Sequence, residues 1–253
     1  MESFADLIKH SKFLPFAHRG ASQLAPENTF AAFQIAYDLG FNIIETDVRS
    51  SRDGILYCFH DRSLKRMTGS KGNIENLPSC YIDELRINGK HSIPKLENLY
   101  EAFPKAYFNI DAKSGECVTP LINLVRRTQT SRRTCFGSFD QTRLDRIKSS
   151  LINEKFAISM GTSATLKLFT GYLTGKSRTI KADCVQLPLS CYGINLINRN
   201  TLKYFKSQGL KIHVWTINKA TEFQRLIDLG VDGIMTDNCE LLKSVLTENN
   251  LWH

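Results

Sequence analysis

The chain has 253 residues, 42% of them hydrophobic and 23% charged, with a formal net charge of +8. That is an ordinary globular composition, long enough for one large core or two modest ones. No apolar run approaches the ~20 residues that a membrane span requires, and no basic stretch is long enough to read as a nucleic-acid-binding arm.

Short β-branched or aromatic runs alternate with stretches of helical period. "FLPFAH" (13–18) reads as a strand. "ENTFAAFQIAYDLG" (27–40) reads as a helix with apolar positions at Phe30, Phe33, Ile35, Ala36 and Leu39, ending at Gly40. "NIIETDV" (42–48) is a second strand, and "GILYCFH" (54–60) returns beside it after the turn "SRDG". From about 61 to 98 the pattern breaks, which predicts an insertion between the second strand and its helix, packed at the mouth of the sheet. Further strands are expected at 106–113, 134–139, 155–160, 183–188, 210–217 and 232–237. Helices at 117–129, 140–149, 199–208, 219–229 and 239–248 separate most of them. Setting the hairpin partner aside leaves eight strands. Strands that alternate with helices pair in parallel through right-handed crossovers. Eight of them in ~250 residues predict an α/β fold, a (β/α)8 TIM barrel, over a single domain 1–253. An open doubly wound sheet is the alternative.

The seven cysteines are odd in number and contain no C-x-x-C. Buried free thiols are expected, with neither a disulfide framework nor a zinc cluster. The N-terminus has early acids and no long apolar segment, so a cytoplasmic location without a signal peptide is expected. The basic balance suits an anionic ligand, phosphate first among them.

In such a barrel, function sits where strands end. His18 and Arg19 end the first strand. Glu45 and Asp47 are two apart and share one face of the second; two carboxylates so placed repel unless a cation or a proton intervenes. Asp111 and Lys113 share a face in the same way, and "GILYCFH" delivers His60 at its tip, followed by Asp61. Taken singly, each has a bland reading as a capped histidine or an ion pair. Seven such residues on one rim do not.

"HRGASQLAPENTFAAF", "IETDVRSSRDGILYCFHD", "IPKLENL", "NIDAKS", "VWTIN" and "GVDGIMTDN" resemble, in order, the motifs of the glycerophosphodiester phosphodiesterase family, from about residue 14 to 245. The resemblance implies a TIM barrel with a small insertion after strand two. It implies hydrolysis of glycerophosphodiesters to glycerol 3-phosphate and an alcohol, with one divalent cation (Mg²⁺ or Ca²⁺, with Mn²⁺ as a further option). Carried over residue by residue, it puts the catalytic histidines at His18 and His60 and the metal carboxylates at Glu45, Asp47 and Asp111. Phosphate contacts fall at Arg19 and Lys113 and an aromatic wall at Trp215. Two departures stand out. The third acid is often Glu in the family and here is Asp, one methylene shorter, which shifts the metal or admits a water. Cys239 replaces a proline common after the final "TDN".

The residue types suit that chemistry. Hard oxygen ligands select Mg²⁺, Ca²⁺ or Mn²⁺ over zinc. Arginine offers a phosphate paired donors, and lysine a point charge. Histidine both accepts and donates a proton near neutrality. The expected path is attack of the glycerol 2-hydroxyl on phosphorus, through a cyclic phosphate that water then opens. Glu27 is expected either to favour a helix start or to support the metal site from behind, and Asn28 to bond the rim loop. Phe139 and Met160 are candidates to line the substrate pocket. His213, one layer below Trp215, reads as a satisfied core histidine. The 161–182 segment is either a lid or a helix packed on the barrel. The partner expected is a small-molecule glycerophosphodiester, with no nucleic acid and no stable membrane insertion; monomer and dimer stay open. The rivals are a lysophospholipase D acting on lipid headgroups, a nuclease, and a non-catalytic barrel that binds phosphoesters.

Overall fold

The computed structural model describes residues 2–177 and 181–252. Eight parallel strands form the wall of a TIM barrel: β1 (Leu14–Ala17), β2 (Ile43–Ser50), β3 (Tyr107–Ala112), β4 (Thr134–Gly137), β5 (Ala157–Ile158), β6 (Cys184–Pro188), β7 (Lys211–Trp215) and β8 (Gly233–Thr236). Sequence neighbours lie side by side, and β8 returns to β1 with Leu14 opposite Gly233 and Ala17 opposite Thr236. Between β5 and β6 no ladder forms among the described residues. Asp183 joins them instead: its N–H donates to Ile158 O at 2.9 Å and its carboxylate accepts from Ile158 N–H at 2.8 Å.

The two-residue period of the strands sorts side chains between the barrel interior and the helical shell. Outward Ile44, Val48, Phe108, Ile110 and Phe136 pack with Leu121, Val125, Leu144 and Ile147 from the surrounding helices. Inward Phe16, Ile43, Tyr107, Cys135, Ala157 and Cys184 fill the floor. A helix over Phe4–His10, absent from the sequence reading, plugs that floor: the Phe4 ring centroid lies 5.1 Å from Tyr107 and 6.4 Å from Phe16. At seven residues it is too short to show a periodic stripe.

Several boundaries differ from expectation for local reasons. The helix expected from residue 27 begins at Phe30, because Asn28 turns the chain at φ +55° and Thr29 is the N-cap, its hydroxyl accepting from Ala32 N–H at 3.2 Å. The expected 155–160 strand shortens to Ala157–Ile158. The strand Leu56–Cys58 runs antiparallel to β2, as the turn signal predicted. The 61–98 insertion is more structured than its turn-rich sequence suggested. It holds short helices over Lys65–Thr68 and Ser79–Asp83, a small hairpin, and a core of its own from Tyr57, Phe59, Leu64, Ile74, Ile82, Ile87 and Ile93. The 161–182 segment forms a helix over Thr162–Thr174 packed on the barrel through Leu168, with Phe169 edge-on to Phe205 at 5.0 Å; residues 178–180 of that segment lie outside the described residues.

Candidate active site

The C-terminal ends of the strands surround a cavity of about 270 Å³ whose lining includes His18, Arg19, Glu45, Asp47, His60, Asp111 and Lys113. The fold therefore brings together all seven strand-end residues that the sequence singled out.

The "HRG" turn at the end of β1 sets the first of them. Arg19 and Gly20 both adopt positive φ, +55° and +82°. A Cβ at Gly20 would stand 2.6 Å from the carbonyl carbon of Ala32, so only glycine lets the turn pack on the following helix. The turn aims the Arg19 N–H at Glu45 Oε2, 2.9 Å away. It also lays the Arg19 guanidinium between Glu27 Oε1 at 2.9 Å and Asp47 Oδ2 at 3.0 Å. Burial opposes the charge on Arg19, but Asp47, Glu45 and Glu27 outweigh it and raise the guanidinium pKa further.

Both histidines are anchored through Nδ1. His18 Nδ1 lies 2.7 Å from Asp237 Oδ1, and His60 Nδ1 lies 2.7 Å from Asp61 Oδ1. A carboxylate at Nδ1 fixes that nitrogen as the protonated one and leaves Nε2 to exchange a proton with a ligand. His18 Nε2 is 4.0 Å from Glu45 Oε2. Burial pulls the His18 pKa down, yet Glu45 and the bond to Asp237 more than offset it, and the net shift is upward. Asp237 also accepts from Ser22 Oγ at 2.6 Å and Asn218 Nδ2 at 2.7 Å. Burial raises its pKa, but the bonds from His18 and Ser22 bring it down to about 2. Asp61 is held in turn by Arg66, whose guanidinium spans Asp61 and Glu27 and pulls the Asp61 carboxyl far below its ordinary range.

The register places Asp47 opposite Asp111 on the neighbouring strand. Lys113 Nζ bridges the two, 2.9 Å from Asp47 Oδ1 and 2.8 Å from Asp111 Oδ2. Burial pushes the Asp47 pKa up, but Lys113 and Arg19 outweigh it and the net shift is downward. One layer deeper, Glu45 is pushed up to about 7, by burial first and then by the Asp47 charge. Asp111 Oδ1 is buried without a hydrogen-bond partner. Carboxylate oxygen in this cavity is thus in excess of what its own cations satisfy. The donor set fits a hard divalent ion such as Mg²⁺ or Ca²⁺. Among the described residues no three acids are preassembled as a cage, since Lys113 stands between two of them.

Glu27 lies outside the helix rather than in its first turn and clamps Arg19 to Arg66. Asn28 bonds the rim turn as expected, its N–H donating to Arg19 O at 3.0 Å, and ties that turn to β2: its Nδ2 donates to Asp47 Oδ2 at 3.0 Å, and its Oδ1 accepts from Thr46 at 2.6 Å. Phe139, Met160 and Trp215 line the cavity, with Phe139 edge-on to Trp215 at 5.8 Å. His213 is buried against Phe16 at 4.7 Å with the Cys184 thiol as its polar neighbour, so it is a core histidine. The sequence reading passed over Asp237, Asn218, Ser22 and Arg66. Asp237 was in view: it directly follows Thr236, which the β8–β1 register sets opposite Ala17, beside His18. All seven cysteines are free, with Cys80 and Cys191 exposed and the others buried. Among the described residues no helix is long and apolar enough to cross a membrane.

Residues 18–241 match the model of the glycerophosphoryl diester phosphodiesterase family. A Mycobacterium tuberculosis protein described as "Probable glycerophosphodiester phosphodiesterase 2" is 34% identical over 98% of this chain and 96% of its own. The crystal structure of a glycerophosphodiester phosphodiesterase from Agrobacterium tumefaciens superposes with a TM-score of 0.76 at 26% identity, covering 93% of this chain and 99% of that one. An Oleispira antarctica phosphodiesterase, solved with its product sn-glycerol-3-phosphate, shares the fold with a TM-score of 0.76 at 21% identity, over 92% of this chain and 96% of that one.

Proposed function

Because this chain belongs to the glycerophosphoryl diester phosphodiesterase family, we propose that it hydrolyses glycerophosphodiesters to sn-glycerol 3-phosphate and an alcohol, with His18 and His60 moving the protons. The observation that carries this reading is the pair of carboxylate-anchored histidines lining one cavity together with Arg19 and Lys113.

In the first step the glycerol 2-hydroxyl attacks phosphorus and passes its proton to His18 Nε2, while the bond to the departing alcohol breaks and protonated His60 supplies that alcohol's proton. The product is a cyclic phosphate. In the second step His60 takes a proton from water, the water oxygen bonds phosphorus, and the ring opens as His18 returns its proton to the 2-oxygen. Attack from within the substrate gains from proximity. Asp237 and Asp61 orient the imidazoles, and Asp237 favours the charged form of His18. Arg19 and Lys113 hold the phosphoryl oxygens, and Phe139 and Trp215 offer an apolar wall to the alcohol. Glu45, Asp47 and Asp111 are the residues to hold a divalent cation, which when bound supplies positive charge to the phosphoryl oxygens.

The test is release of glycerol 3-phosphate from glycerophosphocholine and glycerophosphoethanolamine, with EDTA and then with Mg²⁺, Ca²⁺ or Mn²⁺ restored. Release that EDTA abolishes and a metal returns supports the whole reading. Release indifferent to EDTA removes the cation from it. Turnover confined to a lysophospholipid would replace the small diester by a lipid headgroup as substrate.

A further inference from the structure

The rim carries a feature that the chemistry does not use. After β6 the chain leaves the barrel as a hairpin in which Ser190–Cys191 pairs antiparallel with Ile194–Asn195 and Leu196 N–H donates to Leu189 O at 2.9 Å. Tyr192 and Gly193 form its tip at φ +50° and +77°, the two left-handed residues that a type I′ turn requires. Asparagine is the ordinary occupant of the first position. Here it is a tyrosine, fully exposed, followed by Ile194 at 67% exposure. Backbone preference does not account for the tyrosine, and strand preference alone gives Ile194 no reason to stand in solvent.

The hairpin stands at the mouth of the catalytic cavity, which Cys191 and Leu196 help to line along with Thr165 from the helix Thr162–Thr174. The next residue of that helix, Leu166, is 66% exposed, and Phe139 on the cavity wall is 58% exposed. Four large apolar side chains are thereby presented to solvent around one opening, an arrangement that marks an interaction surface. The two helices flanking the hairpin carry charge of one sign, while Asp140 follows Phe139 and Asp145 shares a groove with Lys167. The helices flanking the hairpin, Thr162–Thr174 and Arg199–Ser207, contain no acid, and Lys167, Arg199 and Lys203 are exposed and form no ion pair among the described residues. Arg199 occupies the first helical position, where the helix dipole disfavours a cation, so the helix gives no reason for it.

We propose that this rim docks on an anionic phospholipid bilayer. Tyr192, Ile194 and Leu166 enter the interface, and Lys167, Arg199 and Lys203 face lipid phosphates. A protruding apolar tip backed by unpaired cations is the combination that binds a charged membrane surface without spanning it. The net charge of +8 acts in the same sense. The proposal depends on no catalytic assignment, since Tyr192, Ile194 and Leu166 lie outside the cavity lining.

The experiment is co-sedimentation of the full chain with phosphatidylglycerol/phosphatidylcholine vesicles and with phosphatidylcholine vesicles alone. The protein should partition onto the anionic vesicles, less so as salt is added. Y192D/I194D should lower partitioning about tenfold or more, and K167E/R199E/K203E about fivefold for each cation removed. Both variants should keep wild-type turnover of a soluble diester without vesicles. Failure to bind anionic vesicles, or equal binding by wild type and Y192D/I194D, would overturn the proposal. So would a wild-type dimer that Y192D/I194D dissociates in sedimentation velocity, which would assign the face to a second copy of the chain.

Discussion

Asp237→Asn isolates the support behind His18. In the native site both Asp237 oxygens are acceptors: Oδ1 faces His18 Nδ1 and Ser22 Oγ, and Oδ2 faces Asn218 Nδ2. An amide has one acceptor to offer, so its NH2 must confront a donor whichever way it is placed. A hydrogen bond to a charged group contributes about 1.5–3 kcal/mol, which corresponds to a loss of roughly 10- to 150-fold in rate. Asp237 also helps to hold the His18 pKa up, so its neutralisation lowers that pKa. Where His18 acts as the base, the acidic limb of the kcat/KM profile follows the His18 pKa and should move to lower pH. The assay is glycerol 3-phosphate release across pH 5–9 by wild type and D237N, with circular dichroism to verify folding. Activity within twofold of wild type on an unmoved profile would refute the role given to Asp237.

His18→Ala and His60→Ala should each cost about 10²–10⁴ in kcat, and a tenfold loss or less in both would contradict their assignment. Lys113→Met removes the cation shared by Asp47 and Asp111 and, in EDTA, should lower the urea midpoint, since breaking a buried pair costs about 3–5 kcal/mol; added divalent cation should restore more of the loss than it adds to wild type. Gly20→Ala forces a Cβ onto the Ala32 backbone at φ +82° and should cost about 1–3 kcal/mol, with Tm falling about 2–4 °C per kcal/mol. The Asp237 carboxyl titrates at about 2 in the folded chain against ~3.9 unfolded. Its ionised form therefore stabilises the fold above about pH 4 and ceases to do so as pH falls through 2. The difference in denaturation midpoint between wild type and D237N should be largest near pH 6 and shrink between pH 4 and 2.

The barrel was legible because eight apolar runs alternate with helical stripes and each strand buries both faces. The acids at 45, 47 and 111 stood out because a carboxylate inside such a run has no structural excuse. Other features were hidden for physical reasons. The seven-residue helix at the N-terminus is held by its tertiary contact with Phe16 and Tyr107. The insertion looked irregular because its elements are two to five residues long and are fixed by the small core under Tyr57. Glu27 resembled a first-turn acid, but Asn28 and Thr29 delay the helix and free Glu27 to clamp two arginines. Asp237 lies 219 positions from His18, and only closure of β8 on β1 brings them to 2.7 Å.

The most direct test of the central claim is phosphorus NMR of glycerophosphocholine incubated with the wild-type chain and with H18A. The account predicts that the wild type converts the diester resonance to that of sn-glycerol 3-phosphate, while folded H18A leaves the diester standing on the same timescale. Phosphocholine as the product, or undiminished conversion by H18A, would contradict it.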